Sequence, residues 1–216
     1  MTAAGRDGAR AGLLMAALRH IPFDGWTDTA FSRAASDLGW PEEEAARLFP
    51  GGAAEAAVLF GELADAAMAE ALSNQDLSDM RIRDRVALAV RCRLEYLEPH
   101  REAVRRLVPF MLLPGNAGRG MRALYRTVDA IWHALGDRSA DFSFYTKRAL
   151  LAGVLSSTTL FWLDDGSEGS AESWAFLDRR IGDVMSIQRI RGKTDKIRGR
   201  LPDPFRLLRR IRPVSS

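Results

Sequence analysis

Residues 25–52, GWTDTAFSRAASDLGWPEEEAARLFPGG, decide how the N-terminal part of the chain folds. Ala30, Phe31, Ala34, Ala35 and Leu38 recur at helical spacing and predict an amphipathic helix over about 28–38, closed by Gly39. Pro41 then sits where a first helical position belongs, and it opens a short helix to about Phe49 that Pro50-Gly51-Gly52 ends. A helix, a tight turn and a short second helix normally serve to read DNA. The second helix would have to bring Arg, Lys, Asn or Gln to base edges. Here it is Pro41-Glu42-Glu43-Glu44-Ala45-Ala46-Arg47-Leu48-Phe49, and across the whole segment Asp28, Asp37 and three glutamates face only Arg33 and Arg47. Bringing that charge to a polyanionic duplex costs free energy. The shape of a DNA reader is kept without its chemistry, and no nucleic-acid partner is expected.

The same period runs outward in both directions. Leu14, Ala17, Leu18 and Ile21 form a stripe on a first helix over about 8–20, stopped at Pro22. Beyond Gly52 come an Ala-rich helix to about Leu72, one carrying Val86, Val90, Leu94 and Leu97, one opened by Pro99 and bent at Pro109, and one carrying Leu124, Val128, Ile131, Trp132 and Leu135 before Gly136. No segment alternates with period two, so the expected class is all-α, and 216 residues with 47% hydrophobic content suffice for a buried core. Four N-terminal helices with a short third after a tight turn, followed by a larger helical body, resemble the TetR-type regulators. The resemblance implies a TetR-like bundle with a degenerate helix-turn-helix.

Catalytic signatures are poor. His20, His100 and His133 are far apart, Asp164 and Asp165 lack further ligands, and Gly115, Gly118 and Gly120 follow no strand, so neither a metal site nor a phosphate loop is expected. Cys92 is the single cysteine and cannot form an intramolecular disulfide. The expectation is a non-catalytic protein that needs no cofactor. The longest uncharged run, Ala149 to Leu163, is 15 residues, short of the roughly 20 a spanning helix needs. The N-terminal residues lack the features of a signal or organellar presequence, and the expected location is the cytoplasm, peripheral to the inner face of the cell membrane.

Residues 141–185, DFSFYTKRALLAGVLSSTTLFWLDDGSEGSAESWAFLDRRIGDVM, carry the most specific pattern. Lys147 and Arg148 precede the apolar run and Asp164 and Asp165 follow it, the reverse of what a helix dipole favours. Two readings stand. Long basic side chains cover neighbouring apolar surface, or Phe144, Tyr145, Lys147 and Arg148 form an exposed aromatic-basic docking patch.

The order of this stretch resembles the accessory lipid-binding proteins of ubiquinone biosynthesis, which carry D-x-x-W-Y-T-[KR]-R-A, an acidic loop and T-W-x-F-L-x-x-R-[IV]. Asp141, Tyr145, Thr146, Lys147, Arg148 and Ala149 match; Phe144 stands in place of the family tryptophan and Ser143 in place of an asparagine. His20-Ile21-Pro22, Gly25-Trp26-Thr27, Ile131-Trp132, Gly136-Asp137 and Trp174-Ala175-Phe176-Leu177 extend the likeness over about 13–187. The resemblance implies a long apolar pocket for an isoprenoid lipid, a demethoxyubiquinone hydroxylase as partner at Asp141, Phe144, Tyr145, Lys147 and Arg148, and a last helix that binds membrane.

Large apolar residues of the middle helices, Val90, Leu94, Phe110, Leu124, Val128, Trp132, Leu150, Val154 and Phe161, suit either a pocket wall or an ordinary core. From Gln188 to Ser216 ten basic residues face two acidic ones, whereas the remainder carries 21 basic and 26 acidic. In that tail Leu201, Phe205, Leu208 and Ile211 share one helical side and Arg206 and Arg210 the other, which suits an anionic membrane surface or, alternatively, a solubilising tail. The expected organisation is a degenerate helix-turn-helix over 1–52, a lipid-binding body over 53–187 and a basic tail over 188–216. A homodimer through the last two body helices is also expected. The leading function is a lipid-presenting accessory protein of ubiquinone biosynthesis, with a ligand-responsive TetR-type repressor as the alternative.

Overall fold

Helix-forming sequence punctuated by Pro and Gly gives ten α-helices in the described residues of the structure, a computed structural model that describes residues 3–136 and 143–198. They are α1 (Ala3–Ala17), α2 (Ile21–Asp24), α3 (Asp28–Asp37), α4 (Glu42–Leu48), α5 (Ala53–Ser73), α6 (Ile82–Leu97), α7 (Arg101–Leu112), α8 (Pro114–Ala134), α9 (Ser143–Asp164) and α10 (Ala171–Arg198). No strand occurs among them. None of the described helices is long and apolar enough to cross a membrane.

The N-terminal unit is built from α1 to α4. Thr27 starts α3 by accepting a hydrogen bond from the Ala30 amide at 3.4 Å, the usual role of a hydroxyl at a helix N-terminus. Phe31 meets Phe49 edge-on at 5.5 Å between ring centroids, which fixes α3 against the end of α4. Trp26 joins this unit to the body. Its ring lies 5.7 Å from Phe60 and 6.5 Å from Phe110, and its indole N–H donates to the Ala103 carbonyl at 3.0 Å.

In the body, α5 packs between α6 and α8 and is tied to both by polar groups as well as apolar ones. Arg93 on α6 donates to one oxygen of Asp65 at 2.8 Å, and Thr127 on α8 donates to the other at 2.9 Å. Side chains this well paired are tolerated in an interior that excludes water.

Three boundaries differ from those the sequence suggests. Pro22 does not end the first helix but lies in the first turn of the separate α2, where its missing N–H costs nothing. The glycines at 115, 118 and 120 are helical, inside α8, and Gly120 is there because α8 crosses the end of α7 closely. A Cβ at Gly120 would lie 3.0 Å from the Met111 carbonyl oxygen. The last helix does not stop near 187 but continues to Arg198.

Candidate functional site

Four helices converge on an open apolar cleft of about 420 Å³. α6 contributes Ile82 and Val86, the end of α8 contributes Trp132 and Leu135, α9 contributes Leu150, Leu151 and Val154, and α10 contributes Ile181, Val184 and Met185. Its volume is in the range of small-molecule sites. Each wall follows from helical spacing, since Leu150 and Val154 are one turn apart on α9, as are Ile181 and Met185 on α10. Gly136, with φ 75°, ends α8 beside the cleft and turns the chain away.

Three polar features interrupt the apolar lining, one of them Arg83 of α6. The buried Trp132 indole N–H has no acceptor among the described residues, and an orphaned donor costs on the order of 1–3 kcal/mol. Lys147 lines the cleft as well and holds its ammonium 5.8 Å from the Trp132 ring centroid.

Of the residues the sequence nominates for a pocket, the structure brings Trp132, Leu150 and Val154 together at this cleft. Val90, Leu94 and Val128 are fully buried in the core instead. Phe110 packs on Trp26, Leu124 packs part-buried against the core, and Phe161 stacks on Phe176 at 4.5 Å. In this structure these six pack against the core or against another ring, and none of them lines the cleft. Ile82, Val86, Leu135, Leu151, Ile181, Val184 and Met185 were not nominated. The sequence signal for three of them is the i, i+3, i+4 spacing of Ile181, Val184 and Met185, just before the basic segment.

The aromatic-basic segment is divided by the structure rather than displayed as one patch. Tyr145 is 75% exposed at the start of α9. The Arg148 side chain is only 12% exposed and donates through Nε to Asp129 on α8, so it is not an exposed docking charge in this conformation. Lys147 faces the cleft. The Phe144 backbone lies in α9, and Asp141 lies outside the described residues, as do Leu201, Phe205, Arg206, Leu208, Arg210 and Ile211 of the tail.

The inverted charges of α9 have partners on neighbouring helices, Asp129 of α8 for Arg148 and α7 for the acidic end. Arg105 of α7 donates to Asp164 at 2.5 Å and to the Leu163 carbonyl, and Arg101 donates to the Asp165 carbonyl at 2.5 Å. These cations satisfy the orphaned carbonyls at the end of α9. Asp165 turns inward and accepts from the Ser167 amide at 2.8 Å and from the Ser173 amide and hydroxyl at 2.8 and 2.5 Å. Burial alone raises its pKa, but the donors from Ser167 and Ser173 outweigh it and hold the carboxyl well below the usual range.

The four-helix cleft includes residues from the stretch 117–188, and that stretch matches the family model described as COQ9. The chain is 34% identical over 186 residues to the mitochondrial ubiquinone biosynthesis protein COQ9 of Rattus norvegicus, covering 81% of this chain and 58% of that protein. By sequence, the chain is a homologue of the COQ9 proteins. The Drosophila melanogaster COQ9 is 32% identical over 195 residues, covering 88% of this chain and 59% of that protein. A probable coq9 of Dictyostelium discoideum is 29% identical over 189 residues, covering 85% and 61%. The chain therefore spans somewhat under two thirds of the length of these COQ9 relatives. Among solved structures, a TetR transcriptional regulator from Nitrosomonas europaea superposes with a TM-score of 0.67 over 82% of this chain and 98% of that one, at 19% identity. The fold is TetR-like and all-α.

Around the turn that gives such regulators their function, α4 opens with Glu42, Glu43 and Glu44. Both basic groups of the segment are engaged, Arg47 with Glu44 at 3.0 Å and Arg33 with both oxygens of Asp24 at 3.0 and 2.8 Å.

Proposed function

We propose that the chain serves ubiquinone biosynthesis as a non-catalytic lipid carrier. The α6–α8–α9–α10 cleft takes the apolar part of a polyprenylated quinone precursor, and the face around Tyr145 meets the demethoxyubiquinone hydroxylase. The observation that carries this reading is the cleft itself. It is apolar, it is open, and it is walled partly by the segment that matches the COQ9 family. A long isoprenoid chain would extend from its open side. The basic tail and α10 would hold the molecule at an anionic membrane, and α9 with α10 would pair two copies of the chain.

Purification followed by lipid extraction and mass spectrometry tests the cleft. Isoprenoid quinones or their precursors should copurify, and Leu150→Trp, which fills the cleft from a half-buried position, should lower their yield several-fold. Equal recovery from both proteins would overturn the assignment. Pulldown of the hydroxylase tests the Tyr145 face. Tyr145→Ala is the cleaner variant, because Arg148→Glu also breaks the ion pair with Asp129. Unchanged capture by Tyr145→Ala would remove that surface from the reading.

A ligand-responsive repressor is the second reading, favoured by the likeness to the Nitrosomonas regulator. It is opposed by the three glutamates of α4 and by the engaged state of Arg33 and Arg47. An operator-specific, salt-dependent gel shift would favour it over the lipid carrier.

A further inference from the structure

The corner between α7 and α8 displays apolar side chains instead of burying them. Leu112 is 73% exposed and Leu113 54%, and Met121 and Tyr125 are exposed further along α8. A corner that could collapse onto the core would hide these groups, but this one is built rigidly. The Asn116 side chain donates to the Phe110 carbonyl at 3.0 Å, the Asn116 and Ala117 amides both reach the Leu113 carbonyl at 2.8 Å, and Gly120 leaves the room for Met111 that a Cβ would take. Pro114, Gly118, Met121 and Tyr125 follow one another at helical spacing and make an exposed stripe continuous with the leucines.

Along this stretch of the chain the charge is of one sign, although Glu55 and Glu62 of α5 stand beside Arg119 and Arg126. Residues 103–128 include Arg105, Arg106, Arg119, Arg122 and Arg126 and no acidic residue. Arg105, Arg106 and Arg126 are paired with Glu102, Asp164 and Glu62 from outside the stretch. Arg119 and Arg122 have no carboxylate partner among the described residues, and Arg122 donates only to the Gly118 carbonyl at 3.1 Å. They lie one turn apart on the helical row next to the apolar one. Exposed leucines beside exposed arginines that form no ion pair among the described residues fit a surface that offers apolar depth below a layer of phosphates.

We propose that the α7–α8 corner is a membrane-docking surface of the folded body. Leu112, Leu113 and Met121 enter the headgroup boundary of an anionic bilayer, while Arg119 and Arg122 meet lipid phosphates. It is separate from the basic tail, and it stands whatever occupies the cleft.

The test uses the full chain with Cys92→Ser and Leu113→Cys, labelled at residue 113 with an environment-sensitive fluorophore. Vesicles of phosphatidylcholine mixed with phosphatidylglycerol should shift the label emission to the blue, and vesicles of phosphatidylcholine alone should not. Adding Arg119→Glu and Arg122→Glu should weaken that response about 25-fold at low salt, at about fivefold for each basic group lost from the surface. Three results would overturn the proposal. In one, the chain cosediments with anionic vesicles while the label is unmoved, which assigns the membrane to the tail alone. In another, the response ignores lipid charge and both arginines. In the third, the label shifts without vesicles as protein concentration rises, which makes the corner a contact between copies of the chain. Lipid extraction reads the cleft separately, so failure there and failure here are distinct outcomes.

Discussion

Asp65→Leu should cost more stability than any comparable polar substitution in the described body, because it strands a cation. Asp65 and Arg93 have side chains only 10% and 13% exposed, and Asp65 also accepts from Thr127. Removing one partner of a buried pair costs about 3–5 kcal/mol, since the remaining charge keeps its desolvation penalty and loses its compensation. The orphaned Thr127 hydroxyl is part of that cost. For a domain whose whole stability is about 5–15 kcal/mol, this is a large share. At roughly 2–4 °C per kcal/mol for a domain of this size, the melting midpoint should fall by about 6–20 °C. Urea unfolding followed by circular dichroism measures the difference directly. Asp65→Leu combined with Arg93→Met should recover most of that loss, since an apolar replacement of both partners leaves no unpaired charge and only the Thr127 hydroxyl without its acceptor. A single variant that loses less than about 1 kcal/mol, or a double variant as unstable as the single one, would refute the claim that this pair is desolvated.

Other consequences are smaller and equally direct. Trp26→Phe keeps a ring against Phe60 but loses the N–H bond to Ala103, and should cost about 1–2 kcal/mol in the same assay. Asp165→Ala should destabilise the α9–α10 turn near neutral pH. A carboxyl held low in the folded state contributes stability above its unfolded pKa, near 4, and loses it as pH falls toward the folded value, so the gap between parent and variant should shrink below about pH 4. Tyr145→Ala should leave thermal stability within about 0.5 kcal/mol of the parent, because an exposed ring supports little. A large loss there would show that Tyr145 is a packing residue rather than a contact one.

The fold was legible because its signals are local. Apolar spacing from Ala30 to Ala35, the Pro41 start and the Pro50-Gly51-Gly52 stop all act within a few residues, and the helices appear where those signals place them. The start of α8 was hidden because Gly115, Gly118 and Gly120 have low helix propensity, and the close approach to Met111 that accounts for Gly120 is local only after α7 and α8 have folded together. The cleft was partly legible for the same reason. An apolar residue that lines a gap and one that fills a core have the same spacing, so Val154 and Val90 cannot be separated by sequence, and only the divergence of α6, α9 and α10 decides between them. Ion partners were the least visible. Arg148 and Asp129, or Arg105 and Asp164, are joined across helices, and the sequence shows only their separate signs.

The N-terminal unit has a physical role in the fold that does not need DNA. Phe31, Phe49 and Trp26 are buried, and Trp26 reaches across to Phe60 and Phe110 and bonds the Ala103 carbonyl. The unit thus closes one end of the body and completes its aromatic core. That contact constrains the inward face of α3 and the Thr27 start, but places no demand on the outward face of α4. The outward face is where Glu42, Glu43 and Glu44 stand, with their charges toward the N-terminus of their own helix, where the dipole favours them. A recognition helix must resist that local preference and present cations to phosphates. Where the fold makes no such demand, the glutamates are the locally stable solution, so the acidic α4 and the buried Trp26 are compatible results of one arrangement.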